Sequence, residues 1–151
     1  LKRGDSLPAG INLKNKFIYY VGPVNAVRNE VIGPAGPTTA SRMDQFMEMM
    51  LAELGVMGTI GKAERGENAV QTIKKYQSVY LSAVGGAAYL VSKAITSSRV
   101  VAFPELGMEA IYEFEVKDMP VMVSIDTHGK SIYCEAPTRW KNKSIPINSL
   151  K

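Results

Sequence analysis

The chain reads as an α/β domain with a mixed central sheet flanked by helices, and three observations predict it. Short β-rich runs alternate with amphipathic helical stretches over roughly the first hundred residues. The later chain turns to alternating, antiparallel-type strands. Glycine and proline mark the joints between segments.

Residues 1–16 are polar and broken by Pro8 and Gly10, and read as the tail of a helix followed by a loop. Phe17-Ile18-Tyr19-Tyr20-Val21, stopped by Gly22-Pro23, reads as a buried strand. Residues 22–37 hold three Gly and three Pro, so a long, stiff loop is expected, of a length often functional in compact domains. Met43, Phe46, Met47, Met50, Leu51 and Leu54 follow the spacing of one buried helix face. Thr38 or Thr39 is the expected N-cap, and Gly55 the stop.

Residues 56–60 read as a second strand, and 66–76 as a short helix with Val70, Ile73 and Tyr76 inward. Residues 79–84 read as a third strand ending at Gly85-Gly86, 87–96 as a helix, and 99–103 as a fourth strand closed by Pro104. Strands are expected at 111–116 and 120–125. Asp126-Thr127-His128-Gly129 is then read as a turn from which 131–135 pairs back as a hairpin. The domain is placed at 1–136, and 137–151 is read as a basic C-terminal extension.

Composition narrows the function classes. With 46% hydrophobic and 21% charged residues, 151 residues can bury a core. No apolar run is long enough to cross a bilayer, so no membrane role is expected. Leu1 to Ser6 lacks the apolar segment of a signal peptide; with no initiating Met, the natural chain is expected to start further upstream. The net charge of +4 is spread out, and its densest stretch is Arg139 to Lys143 around Trp140. That favours a small anion or an acidic partner over nucleic acid. The single cysteine, Cys134, points to a reducing, cytoplasmic setting, and one Cys with one His makes no metal or cluster site within the chain.

Four features bear on chemistry. In Gly36-Pro37-Thr38-Thr39-Ala40-Ser41-Arg42-Met43-Asp44, a rigid lead-in meets two hydroxyls at a helix start, where free N–H groups favour an anion. Arg42 falls on the same side of that helix, with a fork able to grip a carboxylate. An ordinary capped helix bearing a surface arginine fits the same residues. In Gly58-Thr59-Ile60-Gly61-Lys62, Lys62 emerges at a strand end, where α/β folds place ligands; a solvated lysine fits equally. Gly85-Gly86 is either an anion-facing turn or a tight connection. His128 reads as exposed and idle, Cys134 as a small core residue on a strand, and Glu105 and Glu109 as structural.

The strings Tyr20-Val21-Gly22-Pro23, Gly36 to Asp44, Gly61-Lys62, Gly85-Gly86 and Pro104-Glu105-Leu106-Gly107-Met108-Glu109-Ala110 together resemble class I fumarases and L-tartrate dehydratases, over about residues 17–126. The resemblance implies a swivelling β/β/α domain, the C-terminal portion or β subunit of a hydro-lyase such as fumarate hydratase of the tricarboxylic acid cycle. It also implies a partner α subunit whose three cysteines hold a [4Fe–4S] cluster, and a dicarboxylate such as fumarate or malate between the two portions. By the same resemblance Thr38 is the acid/base residue with Thr39 beside it in the substrate site, and Arg42 and Lys62 bind substrate carboxylates. An α2β2 hetero-oligomer, or self-association of the chain alone, is the implied assembly. The family's upstream Gly-Arg-Asp-type segment has no counterpart here, and Arg3 does not take its role. L(+)-tartrate dehydratase or a related hydro-lyase is the alternative within the class, and a non-catalytic anion-binding module the alternative outside it.

Overall fold

The computed structural model describes residues 7–141. The readings made of residues 1–6 and 142–151, including Arg3, the lead-in to Pro8 and the end of the basic extension, lie outside the described residues.

A mixed four-stranded sheet forms the centre. Its strands are β1 (Phe17–Tyr19), β2 (Gly58–Gly61), β3 (Val79–Ala83) and β6 (Val121–Ile125), in that spatial order. β1, β2 and β3 run parallel, and β6 pairs antiparallel with β3. Every residue of β2 is buried, as expected of a parallel strand covered on both faces. Gly58 is required there: a Cβ would lie 2.8 Å from the Val79 carbonyl oxygen.

Helices α1 (Met47–Ala52) and α2 (Glu67–Lys75) pack on this sheet. Met47, Met50, Leu51, Ala69 and Ile73 meet Tyr20, Val56, Tyr80 and Ile125 in the main core. Val70 and Tyr76 pack against its edge, so the inward face expected of α2 is observed. α2 begins at Gly66 with Glu67 in its first turn and ends with Lys74 and Lys75, charges that complement its dipole.

β4 (Ile95–Ala102) and β5 (Ile111–Val116) form a separate antiparallel ribbon rather than joining the main sheet. β4 starts four residues before its expected position, because Ile95 is drawn into a second core with Ile32 and Ala35. Val21, Tyr112 and Phe114 cover that core, so the ribbon and the 22–37 loop hold each other. The helix expected over 87–96 shortens accordingly to α3 (Ala88–Lys93).

Two expectations are corrected. The helix starting at Thr38 or Thr39 is a 3-10 segment, Ala40–Phe46, that becomes α-helical only at Met47. Thr39 occupies its N-cap position, but no side-chain hydroxyl caps it. The second correction concerns 131–135. Only a single bridge, Ile125 to Ser131, follows the turn, and the chain then enters helix α4 (Ile132–Lys141). The Ser131 carbonyl accepts the amides of both Cys134 and Glu135, which closes a helical turn instead of a ladder. Cys134 is consequently exposed on a helix, not buried on a strand. Tyr133 links α4 to the sheet: its hydroxyl lies 3.4 Å from that of Ser82, which accepts a 2.6 Å bond from Ser124.

Candidate functional site

The candidate site grows out of the C-terminal ends of β1 and β2. The Tyr20 amide donates to the Ile60 carbonyl at 2.8 Å, carrying the ladder one residue past β1. The Thr38 amide then donates to the Tyr20 carbonyl at 2.8 Å, which brings the end of the long loop back across the sheet edge. The Lys62 amide donates to the Thr38 carbonyl at 3.0 Å, and the Ala40 amide to the Lys62 carbonyl at 3.1 Å. Thr39 and Lys62 thus form a parallel bridge pair, at a strand spacing of about 4.8 Å. Residues 23 apart in sequence are held side by side by backbone bonds alone.

Gly61 makes this approach possible. A Cβ there would sit 2.9 Å from the Ala40 Cβ and 3.3 Å from the Thr38 carbonyl oxygen. The loop that delivers Thr38 is itself pinned. The Tyr19 hydroxyl donates to the Ala35 carbonyl at 2.7 Å, and the Ala35 amide to the Ala88 carbonyl at 3.1 Å. Burial pushes the Tyr19 hydroxyl far above its ordinary value, so it remains a donor.

Arg42 lies one turn further, at the third position of the 3-10 segment. Thr39, the extended residue before that segment, stands three residues ahead of Arg42. Thr38 and Thr39 are half-buried, while Arg42 and Lys62 are exposed. Neither cation has a hydrogen bond or ion pair among the described residues; the ion pairs formed there involve Lys16, Arg65, Lys75 and Arg99. The stem of Lys62 runs past the Gly85-Gly86 turn, where a Cβ on Gly85 would be 3.7 Å from its Cδ. The ends of β1, β2 and β3 therefore bring the backbone of Thr38 and Thr39 against Lys62 and set the Lys62 stem beside the Gly85-Gly86 turn. Such strand ends are where α/β folds hold ligands.

The face is open. A depression of about 470 Å³ between α1 and α2 is lined by Asp44, Gln45, Glu48, Asn68, Gln71, Thr72 and Lys75, and holds none of these four residues. The segment Pro104–Glu109 is a second 3-10 element, and Met108 lies beside Gly22. Glu105 and Glu109 are exposed there, and His128 is exposed in its turn.

Arg65 escaped the sequence reading, and Asp44, the last residue of the Gly36–Asp44 string, was assigned no role by it. Arg65 is 4% exposed, and its Nε donates to Asp44 Oδ1 at 2.5 Å. Its Nη1 donates to the Thr59 hydroxyl at 3.0 Å, and its guanidinium lies over the Tyr80 ring, 5.0 Å from the centroid. Asp44 Oδ2 accepts the Gly66 amide at 2.7 Å. Burial raises the Tyr20 hydroxyl above its ordinary value, opposed by the Arg65 charge beside it, and pushes Tyr80 up to about 12. Arg65 left no sequence signal: Lys62-Ala63-Glu64-Arg65 has the composition of a solvated turn.

Among the described residues, no group of three or more His, Cys, Asp or Glu could hold a metal ion, and no helix is long and apolar enough to cross a membrane. The described residues do not fit an iron–sulfur cluster, which needs several thiolates, because Cys134 is the chain's one cysteine.

Fold and site together define an α/β domain whose parallel strand ends carry the Thr38-Thr39 pair against Lys62. The chain belongs to the fumarase C-terminus family, whose description matches residues 1–136. It is 37% identical over 134 residues to the aerobic class I fumarate hydratase of Escherichia coli, a match covering 88% of this chain and 24% of that protein. It is 35% identical over 134 residues to fumarate hydratase 2 of Leishmania major, covering 88% of this chain and 23% of that protein. It is 36% identical over 140 residues to the putative L(+)-tartrate dehydratase subunit beta of Methanocaldococcus jannaschii, covering 89% of this chain and 71% of that protein. The chain thus spans about a quarter of the length of the fumarate hydratases it matches.

Proposed function

We propose that this chain supplies the dicarboxylate-holding half of a hydro-lyase, hydrating fumarate reversibly to L-malate when assembled with a partner chain. The observation that carries this reading is the backbone bridge between Thr39 and Lys62, which brings Lys62 to the threonine pair, with Arg42 three residues past Thr39 and neither cation paired among the described residues, in a chain of this family. Fumarate and malate carry two carboxylates. Arg42 would grip one with its planar fork, and Lys62 would add a compact charge on the same side. As charge builds on the substrate during addition or removal of water, fixed cations in a site closed off by the partner would stabilise it more than water could.

Thr38 would move the proton at the carbon next to the one that carries the hydroxyl. An alcohol is a poor base near neutral pH, since efficient catalysts titrate near the working pH. Thr38 therefore requires an activating group, and the partner portion would supply it as a carboxylate. The relative named subunit beta supports a separate partner chain. In this reading a [4Fe–4S] cluster belongs to that partner, and this chain's own part is to bind, orient and exchange a proton.

L(+)-tartrate is the second substrate to test, favoured by the 36% identity with the tartrate dehydratase relative. The experiment is anaerobic co-expression with a cluster-bearing partner, then assays with fumarate, L-malate and L(+)-tartrate. Fumarate hydration that requires both chains is expected. An assembled complex inert towards all three dicarboxylates would overturn the reading.

A further inference from the structure

We propose that Asp44 and Arg65 are positioning residues that hold the Arg42-bearing and Lys62-bearing segments in register, an inference that rests on the dicarboxylate reading above and deepens it. The two segments are tied at one end by the backbone bonds of Thr38, Ala40 and Lys62. Asp44 stands two residues beyond Arg42, and Arg65 three beyond Lys62. Their ion pair ties the same segments again on the far side of both cations. Asp44 also takes the Gly66 amide, so each of its oxygens holds the 62–66 loop.

That loop needs ties. Ala63 has a φ of 66, a left-handed conformation that residues with a Cβ adopt reluctantly. The Tyr80 hydroxyl donates to the Ala63 carbonyl at 2.9 Å, and Arg65 packs over the Tyr80 ring. Together these contacts fix the direction in which Lys62 leaves the sheet.

A purely stabilising role fits the pair poorly. Removing two charges from water is costly, and a well-packed apolar pair of the same volume often serves stability as well. What the ion pair gives and an apolar pair cannot is directed bonds, from Nε to Asp44, from Nη1 to Thr59, and from Gly66 to Asp44.

The test uses the chain assembled with its partner and reads KM for L-malate beside thermal melting. Asp44→Asn alone would strand a buried guanidinium, so the decisive variant is the double Asp44→Leu/Arg65→Met. It leaves no orphaned charge and keeps the net charge. KM does not depend on how much of the enzyme is folded, so a merely structural role would not move it. Misplaced binding groups cost up to about a hundredfold in rate, and a KM increase of roughly tenfold or more is expected here. A double variant with wild-type KM, alongside a Lys62→Ala control whose KM rises, would overturn the positioning role alone. A Lys62→Ala variant with unchanged KM would instead overturn the dicarboxylate reading on which it rests.

Discussion

Replacing Gly61 by alanine tests whether the sheet edge and the candidate site are built by one close approach. The added methyl would sit 2.9 Å from the Ala40 Cβ and 3.2 Å from a Tyr20 ring carbon. Carbon atoms pack comfortably at about 3.5–4.0 Å, so the first contact is short by about 0.6 Å or more. The Thr38 carbonyl oxygen, 3.3 Å away, cannot swing aside as a flexible side chain would. Relief must therefore push the Thr38–Ala40 segment away from β2 and stretch the two backbone bonds that join it to Lys62. Overpacking of this kind costs about 1–3 kcal/mol, or roughly 2–12 °C in Tm for a domain of this size. Gly85→Ala is the matched control. Its new methyl meets only the Lys62 Cδ, at 3.7 Å, an ordinary contact. Urea denaturation gives the stability difference, and amide exchange at Lys62 and Ala40 reads the two bonds directly. Gly61→Ala is expected to lose both stability and protection there, while Gly85→Ala keeps both. A Gly61→Ala chain as stable as wild type, with full protection at Lys62, would refute the reasoning.

Thr38→Ala in the assembled enzyme is expected to lower kcat by about 10²- to 10⁴-fold, the range for a proton-transfer residue, with little change in malate binding; steady-state kinetics separates the two. Arg42→Lys is expected to raise KM by roughly 10- to 100-fold, since a charged bond worth about 1.5–3 kcal/mol is lost with the fork. Unchanged malate kinetics would reduce Arg42 to a surface residue. Asp126 accepts the amides of Lys130 and His128, and these bonds, Lys130 first, hold its carboxyl below the ordinary value of 3.8. A depressed folded value means the stabilisation is complete above the ordinary value and is lost as the pH falls through the depressed one. Melting curves from about pH 5 down to pH 2 should therefore fall more steeply for wild type than for Asp126→Asn, which does not titrate.

Much of this architecture was legible because it rests on local periodicity. The alternation from Phe17 to Ala83 showed three strands and the inward face of α2, since apolar spacing reports directly on which side is buried. The 22–37 loop was visible from its three glycines and three prolines, which break regular structure. The errors arose where two local solutions share one pattern. Ser131-Ile132-Tyr133-Cys134-Glu135 suits a strand by alternation and a helix by its leading serine, and the double acceptance at the Ser131 carbonyl decides for the helix. Thr38-Thr39 suits a capped α-helix, but the Ala40 amide is taken by Lys62 from another strand, and a tighter 3-10 turn follows. Arg65 was invisible because its partners, Asp44, Thr59 and Tyr80, come from three separate elements. The proximity of Thr39 to Lys62 is likewise a tertiary fact that no spacing encodes, although each residue stood out alone.

The most direct measurement is an L-malate titration of the chain followed residue by residue through its amide shifts. If Thr38, Thr39, Arg42 and Lys62 face one dicarboxylate, saturable shifts with a single affinity should appear at residues 38–42, Lys62 and the adjacent Gly85, and vanish in Lys62→Ala. Shifts confined to α2 or α4, or shifts at residues 38–42 that persist unchanged without Lys62, would contradict a shared site.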